Sequence, residues 1–388
     1  MEFKKYKFKD ICLEKGFVRG PFGSALKKSL FVPKGEDTYK VYEQCVPLEQ
    51  NKNSGHYYIT GEYFRKALSR FEVKHNDFLV SCSGVNYGAI YLLQEPFEKG
   101  VINQALLIIR IDDTIVDYNY FKYLFRIVLS RAITTGTGDS TIPNFPAMDV
   151  IKNIDVQLPS LDVQKRIGKI LNDIDIKIAT NNRVNDNLSK MAYDIYMHNF
   201  LSQKPNGRIK DILLEADKSP IQVGTAKTSN GKYPFFTSGA TILKWDKPFV
   251  NGRNCYLNTG GNADVKFYVG EAAYSTDTWC ISAKSKMSDY LYLMLLSLKP
   301  ELDQKFFQGT GLKHLQKPLL KDRPIYIPEK SELEVFNGNV RPMFDSISEN
   351  IRENQQLISL RDWLLPMLMN GQATISDWYG KLSFKYRI

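Results

Sequence analysis

Phe307-Gln308-Gly309-Thr310-Gly311 carries the F-x-G-x-G spacing of loops that hold S-adenosylmethionine. Three features argue against that chemistry. Its counterpart earlier in the chain, Thr134-Thr135-Gly136-Thr137-Gly138, has no Phe. The motif is expected to follow a helix rather than a strand. No Asn-Pro-Pro-aromatic or Asp-Pro-Pro-aromatic tetrapeptide, the usual adenine-methylating partner, occurs in the sequence. Gly224 and Gly231-Lys232-Tyr233 miss the phosphate-loop pattern in spacing and last residue. Glu72-Val73-Lys74 has the E-x-K of many nucleases, but the chain contains no Pro-Asp dipeptide. His56, His75, His198 and His314 are scattered, none with Cys or His at ligand spacing, so no zinc site is expected. No catalytic residues are assigned.

The Gly-rich segments suit binding better than catalysis. Glycine lets a backbone approach a ligand closely, and Ser, Thr and Asn supply short donors. Lys and Arg stand beside them. The candidate binding residues in the first half are Arg19, Gly20, Ser24, Lys27, Lys28, Ser83, Asn86 and Thr137. In the second half they are Lys227, Lys232, Thr237, Ser238, Asn262, Thr310, Lys313 and His314. Taken singly, each of these loops also reads as an ordinary turn between strands. Their duplicated placement favours the set.

The elements that must position these loops come in two copies. Gly136-Thr137-Gly138 recurs as Gly309-Thr310-Gly311, 173 residues later. At the same displacement, Ile174, Ile178, Asn181 and Val184 recur as Ile347, Ile351, Asn354 and Leu357. A duplicated unit implies pseudo-twofold symmetry, for which duplex DNA is a natural partner. In the first copy, residues 16–24 read as loop. Residues 39–46, 77–81, 89–93 and 101–111 read as strands, 118–133 as a helix and 156–159 as a closing strand. In the second copy, 209–214 reads as the opening strand, 233–239 and 257–262 as loops, 290–298 as a helix and 325–328 as the close.

A long amphipathic segment follows each copy. Residues 163–200 place Ile167, Ile170, Ile174, Val184, Leu188, Met191 and Ile195 on one stripe, with Lys177 and Asn181 at the series positions in its middle and Ile178 a further candidate for helix pairing. Residues 332–365 do the same with Val340, Phe344, Ile347, Ile351, Ile358 and Leu365, with Leu357 a further candidate for helix pairing, and Pro366 is expected to kink or end that helix. A helix of this length is about 57 Å long and is rarely stable alone. The expected solution is an antiparallel coiled coil of the two stripes. Asn181 and Asn354 would then fix its register. The fold class is therefore α+β: two similar α/β recognition domains separated by two long helices, with pseudo-twofold symmetry. The expected boundaries are 1–157, 158–201, 202–329, 330–370 and a tail at 371–388.

Composition is compatible with this plan. The net charge of +10 points to a polyanionic partner. Cys12, Cys45, Cys82, Cys255 and Cys280 form no C-x-x-C, which fits a reducing cytoplasm. No run of 18 apolar residues exists, and residues 101–111 read as a buried strand instead of a membrane span. The opening MEFKKYKFKD has no apolar signal core, so no signal peptide is expected.

Two stretches carry a family resemblance. They are Leu158-Pro159-Ser160-Leu161-Asp162-Val163-Gln164-Lys165-Arg166-Ile167, and Glu353-Asn354-Gln355-Gln356-Leu357 on through Leu360-Arg361-Asp362-Trp363-Leu364-Leu365-Pro366-Met367-Leu368-Met369-Asn370-Gly371-Gln372. With the Gly turns before each helix, they resemble the specificity subunit of type I restriction–modification enzymes along nearly the whole chain. The resemblance implies two target-recognition domains, each reading half of a split site in double-stranded DNA. It implies helices that set the spacer and dock two modification subunits, with motor–nuclease restriction subunits joining them. S-adenosylmethionine is then expected on the modification subunits and no cofactor on this chain. One departure is Ser331-Glu332-Leu333-Glu334-Val335-Phe336, which replaces the Gln-based opening of the first helix, so docking at that end is expected to differ. The rival reading is a two-domain scaffold that binds protein without DNA specificity.

Overall fold

The computed structural model describes residues 2–84, 86–135, 145–311, 313–369 and 371. Val85, the Gly136-Thr137-Gly138 turn and the tail beyond Gly371 lie outside them. The chain forms two compact units. One comprises the described residues within Met1–Asp175 and Leu360–Ile388, the other Ile176–Ser359.

The first unit contains strands β1 (Lys4–Lys7), β2 (Cys12–Arg19), β3 (Thr38–Tyr42), β4 (Tyr58–Thr60), β5 (Phe78–Ser81), β6 (Ile90–Leu92), β7 (Gly100–Ile102), β8 (Leu106–Ile111) and β9 (Asp155–Leu158). An antiparallel sheet runs β2-β8-β5-β6, and a second runs β4-β3-β7 with β3 and β7 parallel. β1 and β9 pair antiparallel. All four residues of β5 are buried, because both faces of its sheet are covered. Phe78, Val80, Leu107 and Ile109 face the helix Tyr118–Thr135, meeting Phe121, Phe125 and Val128. Leu79 and Ile108 face the other way, onto Tyr42 and Ile102 of the smaller sheet. This is the period-two alternation of strand side chains, with both sets apolar.

The second unit repeats the plan and, among the described residues, adds the two-stranded hairpin β18-β19. Its strands are β10 (Gly207–Arg208), β11 (Leu213–Glu215), β12 (Tyr233–Phe236), β13 (Leu243–Trp245), β14 (Arg253–Asn258), β15 (Val265–Val269), β16 (Ala273–Tyr274), β17 (Thr278–Ala283), β18 (Phe307–Gln308), β19 (His314–Leu315) and β20 (Pro324–Ile325). The order β11-β17-β14-β15 copies β2-β8-β5-β6, and β13-β12-β16 copies β4-β3-β7, again with one parallel pair. β10 pairs with β20 as β1 does with β9. The helix Ser288–Ser297 covers Cys255, Leu257 and Ile281.

Several local expectations change. Strand β2 continues through Gly16 to Arg19, so residues 16–19 are not loop. A Cβ on Gly16 would lie 2.5 Å from the Arg110 carbonyl oxygen, so this glycine serves close strand approach at a register slip. Residues 101–111 are two strands, because residues 103–105 carry the chain from one sheet to the other. β3 ends at Tyr42, and Cys45–Glu49 is a short helix. Ile209–Ile212 is one helical turn, closed by the Arg208 N–H donating to Asp211 at 2.7 Å, and the strand begins only at Leu213. Tyr233–Phe236 and Leu257-Asn258 are strand, leaving only residues 237–239 and 259–262 as loop. The Gly309 turn follows the two-residue strand β18 and returns into β19.

The long helices are Leu161–Phe200 and Lys330–Met369, 40 residues each. The second runs through Pro366. Leu364, Leu368 and Met369 are buried in the first unit's core, and that packing holds the last turn. Within each unit a stretch of one helix lies against a stretch of the other. In the first unit Ile167 and Leu171 share a core with Leu364 and Leu368. In the second, Ala192 and Tyr196 share one with Val340, Phe344 and Ile347. Asn181 bonds Asn354 and Asn185 bonds Asn350, so the pairing is antiparallel.

Candidate nucleic-acid interface

In the first unit the candidate loops gather where β2 and β5 end and β8 begins. Arg19 is exposed at the end of β2, its guanidinium 5.9 Å from the Phe145 ring. The Gly20 N–H donates to the Leu106 carbonyl at 2.9 Å. A Cβ on Gly20 would stand 1.8 Å from the Asn103 carbonyl oxygen. The close approach this glycine permits is thus to the protein's own backbone. Ser24, Lys27 and Lys28 are exposed on short 3-10 turns anchored by the buried Leu26. Ser83 and Asn86 are exposed after β5, and the Gln44 side chain donates to the Ser83 carbonyl at 3.1 Å. Gly84 has φ +74°, a backbone conformation suited to glycine. Thr137 lies outside the described residues.

The second unit builds the same edge more tightly. Ser238 and Thr259 hydroxyls both donate to the Asp277 carbonyl, at 2.7 and 3.0 Å. The Gly261 N–H donates to the Lys313 carbonyl at 2.9 Å, and the Leu315 N–H to the Thr259 carbonyl at 3.0 Å. Ser238, Asn262, Thr310, Lys313 and His314 therefore share one loop cluster, with Asn262, Thr310 and His314 exposed. Lys313 is half-buried and pairs with Asp303 at 3.4 Å. Thr237 is buried, and its hydroxyl serves Gly239 and Thr241. Lys227 and Lys232 belong to the approach to β12, where Lys232 lies 4.8 Å from the Tyr233 ring. No hydrogen bond or ring contact joins them to the His314 cluster among the described residues.

Buried ion pairs stiffen both frames. Asp77, at the start of β5, takes two bonds from Arg110, at 2.7 and 2.9 Å. Burial nevertheless pushes the Asp77 carboxyl above its ordinary value. Arg253 spans Asp289 and Asp345, at 2.6 and 2.5 Å. Asp175 receives Tyr123, Lys122 and Arg361 at 2.7, 3.1 and 2.8 Å. Burial raises its carboxyl, but Lys122, Arg361 and Tyr123 together hold it below the usual range.

On the long helices, Ile167, Val340, Phe344 and Ile347 are buried, and Ile170, Ile174, Ile178, Leu188, Ile351 and Leu357 are half-buried. Val184 and Ile358 are each 39% exposed and Met191 52%, so these three turn outward. A 3,4 series can leave Asn181 for Val184 or for Asn185. Hydropathy favours Val184, but Asn185 takes the inner place because the Asn350 amide bonds it at 2.8 Å. Asn181 donates to Asn354 at 2.9 Å and to Glu353 at 2.6 Å, and Asn354 donates to Asn182 at 2.8 Å.

Sequence reasoning missed a second polar pair. Gln164 is 1% exposed and bonds the carbonyls of Ile115 and Pro159 at 3.1 and 2.9 Å. It also accepts the Asp117 N–H at 3.1 Å. Asn337, displaced by the same 173 residues, is buried and donates to the Lys286 carbonyl at 3.1 Å. The displacement itself was the available signal.

Two α/β units of one topology, each with a loop-built polar edge, define a duplicated recognition protein. The model of the type I restriction modification DNA specificity domain matches residues 24–190 and again 204–341. The chain is 22% identical over 363 residues to the type I restriction enzyme MjaIX specificity subunit of Methanocaldococcus jannaschii, covering 82% of each. Its fold is similar to the crystal structure of a type I restriction–modification S subunit from M. genitalium, with TM-score 0.60 and 15% identity, over 95% of this chain and 96% of that one. The chain belongs to the type I restriction–modification DNA specificity family. It is a non-catalytic DNA-recognition subunit that confers sequence specificity and assembles with other subunits of the system.

Proposed function

We propose that each unit reads one half of a bipartite site in double-stranded DNA. The two long helices set the spacer between the halves and dock two modification subunits. The observation that carries this is the strand-for-strand repetition of β2–β8 as β11–β17, with polar loops where β5 and β14 end and where β8 and β17 begin. Two copies of one reading edge call for two half-sites. The outward face formed by Ile176, Val184 and Met191, each 39% exposed or more, supports helix docking, since such residues otherwise face water at a cost. The modification subunits carry S-adenosylmethionine and transfer the methyl group, motor–nuclease subunits join the complex, and the assembly works in the cytoplasm.

The test is a unit exchange. Residues 1–150 are replaced by the equivalent unit of a relative in the assembled complex, and methylated adenines are mapped. One half of the methylated sequence should change and the other persist. A change in both halves, or in neither, refutes the two-reader assignment. Binding that ignores both salt and DNA sequence would favour the protein scaffold instead.

A further inference from the structure

Gln104 stands at the tip of the crossover from β7 to β8. It is exposed, and its side-chain amide makes no hydrogen bond among the described residues. Its neighbours are fixed. The Asn103 N–H donates to the Tyr42 carbonyl at 3.0 Å, and the Asn103 carbonyl accepts the Leu106 N–H at 3.2 Å. The Asn103 side chain accepts the Ala105 N–H at 3.0 Å, and the Ala105 carbonyl accepts the Cys82 N–H at 2.8 Å. Gly20 presses on the Asn103 carbonyl from the other side. Gly23 runs alongside, where a Cβ would lie 3.8 Å from the Gln104 amide.

The second unit makes the same crossover and uses it differently. The Ser275 N–H donates to the Phe236 carbonyl at 2.9 Å and the Thr278 N–H to the Ser275 carbonyl at 3.0 Å, so Thr276 occupies the place of Gln104. The Thr276 N–H and hydroxyl both donate to the Ile221 carbonyl, at 2.8 and 3.1 Å. The second unit closes this position internally. The first presents, among the described residues, an unbonded donor and acceptor on a rigid backbone, next to Gly20 and Gly23 of the loop that also carries the exposed cations Arg19 and Lys27.

A primary amide offers N–H and C=O side by side, which matches N7 and N6–H₂ of adenine in the major groove. We infer that Gln104 is a base-reading residue of the first unit and that its ligand is the adenine edge of one A·T pair in the first half-site. The inference rests on the proposed two-half-site reading. Cations such as Arg19 and Lys27 then hold phosphates while the amide reads the base.

The experiment uses the full chain assembled with its modification subunits. The wild-type motif is mapped first, the unit exchange identifies the first half-site, and duplexes with single base changes compete for binding. Gln104→Ala should lose discrimination at one A·T position of the first half-site, by about 5- to 150-fold, with the salt dependence unchanged. Gln104→Glu should shift preference at that position toward cytosine, whose amino group a carboxylate accepts. Retained discrimination at every position, a loss in the second half-site, or uniform weakening on all sequences overturns the assignment of Gln104. A wild-type complex that marks no bipartite motif overturns the two-half-site reading itself.

Discussion

Lys27 and Lys28 are proposed to meet phosphate rather than bases. Both are exposed on turns whose backbone is anchored by Leu26, and neither forms an ion pair with an acidic side chain among the described residues. Lysine is a flexible point charge and reads sequence less well than Arg, Asn or Gln. Lys27→Ala or Lys28→Ala should weaken binding to all duplexes alike. Each should also reduce the slope of log affinity against log salt by about 0.9. A loss confined to one base position in a salt titration would assign the lysine to base reading instead. At this scale the sequence identified residue types better than contacts. Arg19, Ser83 and Asn262 are exposed at the strand ends, while Thr237 is consumed inside its own loop and Lys313 by Asp303. Gln104 lies within residues 101–111, which the sequence reads as one buried strand, because nothing in local composition shows that the chain changes sheets at residues 103–105.

At the scale of elements, polar residues fix how the long helices meet. Asn181 and Asn354 are buried and bonded to each other. Replacing one alone, as in Asn181→Leu, leaves the buried Asn354 amide oxygen without its donor and should cost about 1–3 kcal/mol in chemical denaturation. Replacing both with Leu removes the unpaired groups. Much of that stability should return while register is less well specified, so methylation mapping should show tolerance of additional spacer lengths. If the double variant is no more stable than either single variant, the amides do not act as a pair. Asp175 makes a second test, in the first unit. Its carboxyl is held low, so its contribution is present above the unfolded value of about 3.9 and is lost as pH falls through the folded value. Burial holds Lys122 below its usual range, which offsets part of the gain at neutral pH. Lys122 stays protonated throughout the acid range, so the acid dependence belongs to Asp175. Asp175→Asn should lose about 3 kcal/mol at pH 7, and the gap from wild type should shrink below about pH 4. A gap that stays constant with pH would exclude the ion cluster as its cause. The helices themselves were legible from periodicity to within a few residues. Their facing residues were not, because Val184 and Asn185 fit the 3,4 series equally and only the bond to Asn350 decides between them.

At the scale of the whole molecule, the duplication was visible in one displacement of 173 residues, yet the matching strand orders were not. Short strands such as β16 and β20 have two residues each, too few to show a period. The repeat still allows a direct test of the helices as a spacer ruler. Inserting four residues after Lys177 alone would push the Asn181 layer out of step with Asn354. A matched insertion of four residues after Lys177 and four after Leu357 enters the antiparallel pair at the same level, on one side of that layer, and preserves its bonds. It lengthens the pair by roughly 6 Å and turns it by roughly 40°. Base pairs rise about 3.4 Å and turn about 36° each, so the length alone allows one or two added base pairs while the rotation matches one. The matched variant should methylate sites whose spacer is one base pair longer, with both half-sites unchanged. Methylation mapping against sites with graded spacers reads this out. An active matched variant that keeps the original spacer would show that something other than these helices sets the distance.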